Sequence, residues 1–203
     1  MRSRLNRSGP PVGLILAGGP GTRIGGGKPN VALHGEPLLH YPLRAMRAVL
    51  TDVAIITKPQ IVLTRLEGAM VWVEPDEPAH PLFGISEALA LAGGRPVLVC
   101  PVDMPFISSA LLSSLANAGS EDQPAVIASC HGHARPLVGR YSPSAAPLLA
   151  QAAEDQASLE EIVARLQPEL FEVEDEVELF DVNTPDDLLL AAGMLDQRGS
   201  VRA

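Results

Sequence analysis

The chain has 203 residues, 46% of them hydrophobic and only 3% aromatic, so it is long enough to bury a core, and that core must be built from Leu, Val, Ile and Ala. Its formal net charge of −9 excludes the basic surface that nonspecific nucleic-acid binding requires. No apolar run is long enough for a membrane span, and Cys100 and Cys130 show no metal or redox spacing, so buried thiols in a cytoplasmic protein are expected.

Short apolar runs rich in β-branched residues alternate with stretches of helical spacing. Residues 12–17 read as a first strand, which runs into LILAGGPGTRIGGGKP, a stretch with six glycines that closes on Lys28 and Pro29. Residues 37–50 read as a helix, 53–57 and 70–73 as strands, 82–92 as a helix and 96–100 as a strand, and Ser108 caps a further helix. Residues 126–130 and 136–141 flank the turn HGHA and are expected to pair. With no third ligand at a plausible spacing, His131 and His133 read as a solvated turn rather than a metal site. A helix over 144–154 follows, then a short helix opened by the capping box of Ser158 and Glu161, then weak strands at 171–173 and 179–182. The last helix begins in NTPDDLLLAAGML, where Thr184 caps, Pro185 takes the first helical position, and Asp186 and Asp187 favour the positive end of the dipole. Residues 1–10 and 197–203 are expected to be flexible tails around one domain over 11–196.

This alternation predicts an α/β fold with a mostly parallel central sheet and helices on both faces. In such sheets ligands sit outside the carboxyl ends of the strands, where the glycine stretch and CPVDMP both fall. Charge is distributed unevenly: residues 1–50 carry seven basic side chains against one acid, whereas residues 154–187 carry thirteen acids and one base. The acidic stretch reads as solvated helix faces, and the basic start attracts an anion. Arg44 and Arg47 are expected on the exposed face of the first helix.

Two familiar phosphate loops are excluded. A P-loop would need glycine at Thr22 and Ser or Thr at Pro29, and GxGxxG begins at Gly19 and Gly21 but meets Ile24. What remains is a loop whose successive N–H groups form an anion-binding concavity, with Arg23 and Lys28 adding full charges, which reads as a triphosphate cradle. Asp103 stands where a carboxylate meets a ligand or serves the turn before Met104 and Pro105. On a strand over 179–182, Asp181 and Asn183 would share a face; helix-cap chemistry is the other reading of Asn183 and Thr184.

The stretch LAGGPGTRIGGGKPNVALHGEPLL resembles the opening of nucleotidyltransferases of the Rossmann-like, glycosyltransferase-A type, and is most similar to molybdenum cofactor guanylyltransferases. The similarity continues through PLFGISEAL, LVCPVDMPFI, RPLVGRYSPSAAPLL and VNTPDDL, in the family's order. It implies a single three-layer domain of the nucleotide-diphospho-sugar transferase type and Mg²⁺-dependent transfer of GMP from GTP to the phosphate of molybdopterin, with release of pyrophosphate. It also implies roles for residues. The backbone of Leu16, Ala17, Gly18 and Gly19 would contact the nucleotide, Arg23 and Lys28 would meet the phosphates, and Asp103 would hold Mg²⁺ with Asp181 or Asn183 as a second ligand. Thr57 and Glu74 would contact the nucleotide, with Asp76 as a rival to Glu74, while Arg135 and Asn183 would face the second substrate. Departures from the family pattern stand at Glu74, His80 and Asp181. The alternatives are a cytidylyl- or sugar-phosphate-type transferase, and a noncatalytic nucleotide-binding accessory of molybdoenzymes. Molybdenum cofactor insertion proteins or molybdoenzymes are the protein partners that the resemblance implies.

Overall fold

The computed structural model describes residues 9–200 except 20, 64, 65, 67, 77–79 and 121, with the backbone alone at 199 and 200. Of the expected tails, residues 1–8 and 201–203 lie outside the described residues, whereas 197–200 continue the last helix.

Strand β1 (Val12–Leu16) leads through a loop into two short 3-10 turns, Thr22–Ile24 and Lys28–Asn30. A small hairpin of β2 (Ala32–Leu33) and β3 (Glu36–Pro37) precedes α1 (His40–Arg47). That helix starts later than residue 37 because Pro37 pairs with Ala32 in the hairpin. Then come β4 (Val53–Thr57), β5 (Met70–Val73), α2 (Pro81–Leu91), β6 (Val97–Pro101) and α3 (Ser109–Asn117). The chain continues with β7 (Ala125–Cys130), β8 (His133–Tyr141), α4 (Ala146–Glu154), α5 (Leu159–Leu166), β9 (Glu169–Glu172) and α6 (Pro185–Ser200). His133 and Ala134 pair with Cys130 and Ser129, so the turn between β7 and β8 is tighter than HGHA suggested. The strand expected over 179–182 does not form. Residues Glu176–Leu179 make a 3-10 turn instead, because the Asp175 carboxylate accepts from the Val177 N–H and closes that turn.

Among the described residues one sheet has the order β5-β4-β1-β6-β8-β7-β9, and β8 runs antiparallel to both of its neighbours. The chain winds outward from β1 to β4 and β5, then returns to lay β6 on the other side of β1. The strand order therefore reverses between β1 and β6, the crevice where such sheets bind ligands.

Alternation along each strand sends consecutive side chains to opposite faces. Ile15, Ile55, Leu98 and Cys100 pack with Met46 of α1 and Leu112 of α3. Leu14, Ile56, Val97 and Val99 pack with Ile85 of α2, Leu149 of α4 and Ile162 of α5. The result is three layers, with both cysteines buried as free thiols. A smaller cluster of Leu33, Leu38, Phe106, Val182 and Ala191 fixes α6 beside the β2–β3 hairpin.

The register of β7 on β8 shifts between Ile127 and Ala128, and Gly139 lies against that irregularity. A Cβ at Gly139 would sit 2.3 Å from the Val126 carbonyl oxygen and 3.0 Å from Ile127 Cα. Both are backbone atoms of an interior strand and have little room to yield. Gly139→Ala is expected to cost about 2–3 kcal/mol, seen in a thermal melt as a midpoint lowered by roughly 5–10 °C.

Candidate active site

The loop after β1 is built to place one lysine. Gly21 has φ +57° and opens the turn at Thr22, and a Cβ on it would strike Lys28 Cβ at 2.9 Å. Gly27, also at φ +57°, opens the turn that begins with Lys28 itself. Side chains disfavour that left-handed conformation, so glycine is what lets the chain double back and bury a charged residue.

Lys28 Nζ donates to Asp103 Oδ2 at 2.5 Å and to Asn183 Oδ1 at 2.7 Å. Its two acceptors come from different parts of the chain. Asp103 follows β6 at the carboxyl edge of the sheet, and its carbonyl accepts from the Val182 N–H, which draws residues 181–183 alongside. Asn183 is free for the site because the neighbouring residue does the capping: Asp187 Oδ2 accepts from the N–H groups of Asn183 and Thr184 and from the Thr184 hydroxyl. Thr184 Oγ1 in turn accepts from the Asp187 N–H. Asn183 Nδ2 donates to Asp181 Oδ2, which ties Asp181 to one of the two acceptors of Lys28.

Burial pushes the Asp103 carboxyl above its usual range, and the Lys28 ammonium opposes that shift. Asp103 Oδ1 is buried and has no hydrogen-bond partner among the described residues. An unpaired carboxylate oxygen next to the oxygens of Asp181 and Asn183 is a hard donor set that fits a small divalent cation, which needs only one or two protein carboxylates.

A second buried pair faces the same crevice from the ends of β4 and β5. Lys58, one residue past β4, lies 3.3 Å from Glu74 Oε1 and donates to the carbonyls of Pro75 and Asp76. Both partners are less than a tenth exposed. Burial raises the Glu74 carboxyl and Lys58 lowers it, in that order of size. Glu74 Oε2 has no partner among the described residues and lies where a Cβ on Gly84 would come within 2.9 Å of it. A Cβ on Gly18 would come within 2.6 Å of the other oxygen, Oε1. Two glycines thus leave the space beside this carboxylate.

These groups surround a cavity of about 380 Å³ at the β1–β6 crevice, lined by Leu16, Gly18, Gly19 and Arg23 as well as the two pairs. A larger groove of about 1010 Å³ adjoins it, with Arg135, Asp181 and the His131–His133 turn on its walls. Pro101, Asp103 and Leu137 line both. Ala17 stands apart: its side chain is buried and its N–H donates to the Ile56 carbonyl, while the Leu16 carbonyl accepts from Val102. Among the described residues the Gly18 and Gly19 amides have no backbone acceptor, whereas those of Ile24, Gly25 and Gly26 bond within the loop. Thr57 is buried, its hydroxyl has no partner among the described residues, and it is not one of the residues that line the cavity. Asp76 offers Lys58 its carbonyl and leaves the lining to Glu74. His80 lines the cavity while its ring joins two elements, accepting from the Leu82 N–H at the start of α2 and bonding the Ala157 carbonyl. Arg44 is exposed on α1 and paired with Glu36. Lys58 escaped the sequence reading; its signal was a cation at a strand's carboxyl end, the same signal that picked out Asp103.

The sequence profile of the MobA-like NTP transferase domain matches residues 13–170. The molybdenum cofactor guanylyltransferase of Cereibacter sphaeroides is 31% identical over 189 residues, which is 90% of this chain and 96% of that protein. The solved molybdopterin-guanine dinucleotide biosynthesis protein A of Archaeoglobus fulgidus superposes with a TM-score of 0.77 at 26% identity, covering 91% of this chain and 98% of its own. A Mycobacterium tuberculosis H37Rv protein solved in complex with manganese shares the fold, with a TM-score of 0.69 at 18% identity over 91% of this chain and 99% of its own.

Lys58→Met would leave the Glu74 carboxylate buried without its cation, at a cost of about 3 kcal/mol. The loss should grow as pH rises above the ordinary glutamate range, because the folded variant then holds a proton that the unfolded chain releases. Urea melts at several pH values check this, and Lys58→Met combined with Glu74→Leu should recover most of the stability.

Proposed function

This chain belongs to the MobA-like NTP transferases and to the molybdenum cofactor guanylyltransferase family, and from that premise we propose that it transfers GMP from GTP to the terminal phosphate of molybdopterin. In that reaction an oxygen of the acceptor phosphate bonds to the α-phosphorus, the bond from that phosphorus to the β-phosphate oxygen breaks, and pyrophosphate leaves. The nucleophile is already an anion, so the protein's work is to position the groups and neutralise charge. The observation that carries the proposal is the shared wall at Asp103: a nucleotide-sized cavity and a larger groove meet at one buried carboxylate.

Each residue then has a task. The amides of Gly18 and Gly19, with Arg23 and Lys28, hold the triphosphate. Lys28 is already anchored on Asp103 and Asn183, so it reaches the phosphates from a fixed place. Glu74 Oε2, with no partner among the described residues, suits the N–H edge of guanine, and a base that leaves it unpaired is disfavoured. Arg135 on the groove wall meets the anionic acceptor. Asp103, with Asp181 or Asn183, would hold Mg²⁺, which when bound neutralises charge on the phosphates. The setting is the cytoplasm; no helix of the described residues is long and apolar enough to cross a membrane. Molybdenum cofactor insertion proteins or molybdoenzymes would receive the product.

Pyrophosphate release from GTP and molybdopterin, with Mg²⁺ present, tests the reading. Turnover should appear with GTP and fall by at least about a hundredfold in Lys28→Ala and in Asp103→Asn. Pyrophosphate from CTP in preference to GTP, or from no nucleotide at all, would contradict it.

A further inference from the structure

The turn between β7 and β8 takes no part in the proposed transfer, yet histidines flank its Gly132 and a cysteine precedes it. The third ligand missing from the local sequence arrives from the far side of β9. Glu176, the first residue of its 3-10 turn, places its carboxylate 3.4 Å from His131 Nε2. With Cys130 Sγ this makes the one grouping of three such side chains among the described residues, its ligand atoms all within 4.8 Å of one another.

The structure also fixes the frame of this cluster. His131 has φ +51°, an uncommon conformation outside glycine, and its N–H donates to Glu172 Oε1 at 2.7 Å. The other oxygen of Glu172 accepts from the Ser129 hydroxyl at 2.6 Å. Glu176 is held by the turn that Asp175 caps. The backbones carrying the ligands are thus tied on both sides, while the His131 and Glu176 side chains are more than two-thirds exposed and free to turn.

We propose that Cys130, His131 and Glu176 bind a thiophilic divalent cation of the zinc class at the wall of the larger groove. A tetrahedral zinc with bonds of about 2.3 Å to sulfur and about 2.0–2.1 Å to nitrogen and oxygen sets its ligands about 3.3–3.7 Å apart. His131 and Glu176 are already at that separation, and rotation of two exposed side chains closes the rest. The Cys130 thiol loses its proton to solvent as the sulfur–metal bond forms. The thiolate selects against the hard cation suited to Asp103, so the two sites take different metals. Three protein ligands leave a fourth position, and because all three line the groove, that position is open to water or to a donor atom of whatever occupies the groove.

Cobalt reports such a site without any turnover, so the result is independent of the transferase reading. The full-length protein, with excess Mg²⁺ present, is titrated with Co²⁺ and then with Zn²⁺ while absorbance is recorded. The expected result is one equivalent of Co²⁺ with a thiolate-to-metal charge-transfer band and tetrahedral visible bands, displaced by Zn²⁺. The charge-transfer band should vanish in Cys130→Ser. Affinity should drop by at least about tenfold in His131→Ala and in Glu176→Gln, the loss seen when even an outer partner of a metal ligand is removed. His131 and Glu176 are surface residues, so these variants stay informative should Cys130→Ser fail to fold. A titration without the charge-transfer band, a band that survives Cys130→Ser, or unchanged affinity in both surface variants would overturn the proposal.

Discussion

Lys28 and Asp103 meet at 2.5 Å where the order of the sheet reverses, and both side chains are largely withdrawn from water. Neither charge is tolerable there alone, since removing one partner of a buried pair leaves the other uncompensated. Much of the surrounding structure serves this contact. Glycines at 21 and 27 bend the loop so that a lysine is carried inward, β6 ends so that the carboxylate faces it, and the cap of α6 is built from Thr184 and Asp187 so that Asn183 stays available. In the proposed reading, a triphosphate would supply anions for Lys28 and a divalent cation would supply positive charge for Asp103, so both partners of the pair would keep a counter-charge when the nucleotide arrives with its metal.

The Lys58–Glu74 pair repeats this arrangement in the same cavity, with one carboxylate oxygen again left over. One unpaired oxygen faces the place proposed for the metal and the other the place proposed for the base. The groove beyond Leu137 and Asp103 is larger, in keeping with the bulkier acceptor proposed for it. In the proposed reading, specificity and reactivity rest on separate carboxylates, each paired with its own lysine: Lys28 in the loop after β1 and Lys58 just past β4.

Much of this was legible in the sequence because it rests on local chemistry. The β-branched runs gave the strands, the caps at Ser108, Ser158 and Thr184 gave helix starts, and the glycines before Lys28 marked a loop that had to turn tightly. What escaped depends on contacts between distant segments. Residues 179–182 look like a short strand, but the Asp175 cap makes a 3-10 turn and the Val182 N–H goes to the Asp103 carbonyl. That the Ala17 N–H extends the sheet toward β4 by bonding the Ile56 carbonyl also depends on a distant strand. Lys58 and Glu74 stand sixteen residues apart, and only the packing of β4 on β5 shows that they pair. Glu176 joins Cys130 and His131 only after β8, α4, α5 and β9 have intervened.

The cavity between the two lysine–carboxylate pairs is proposed to hold a guanine nucleotide with its metal. This is tested most directly by the thermal stability of the protein with Mg²⁺ and GTP, CTP, ATP or UTP in turn, since a ligand that binds only the folded state stabilises it according to its affinity. A raised midpoint is expected with GTP alone, abolished in Lys28→Ala and reduced in Glu74→Gln. Equal shifts with all four nucleotides would contradict the role given to Glu74, and no shift with any of them would contradict the cradle itself.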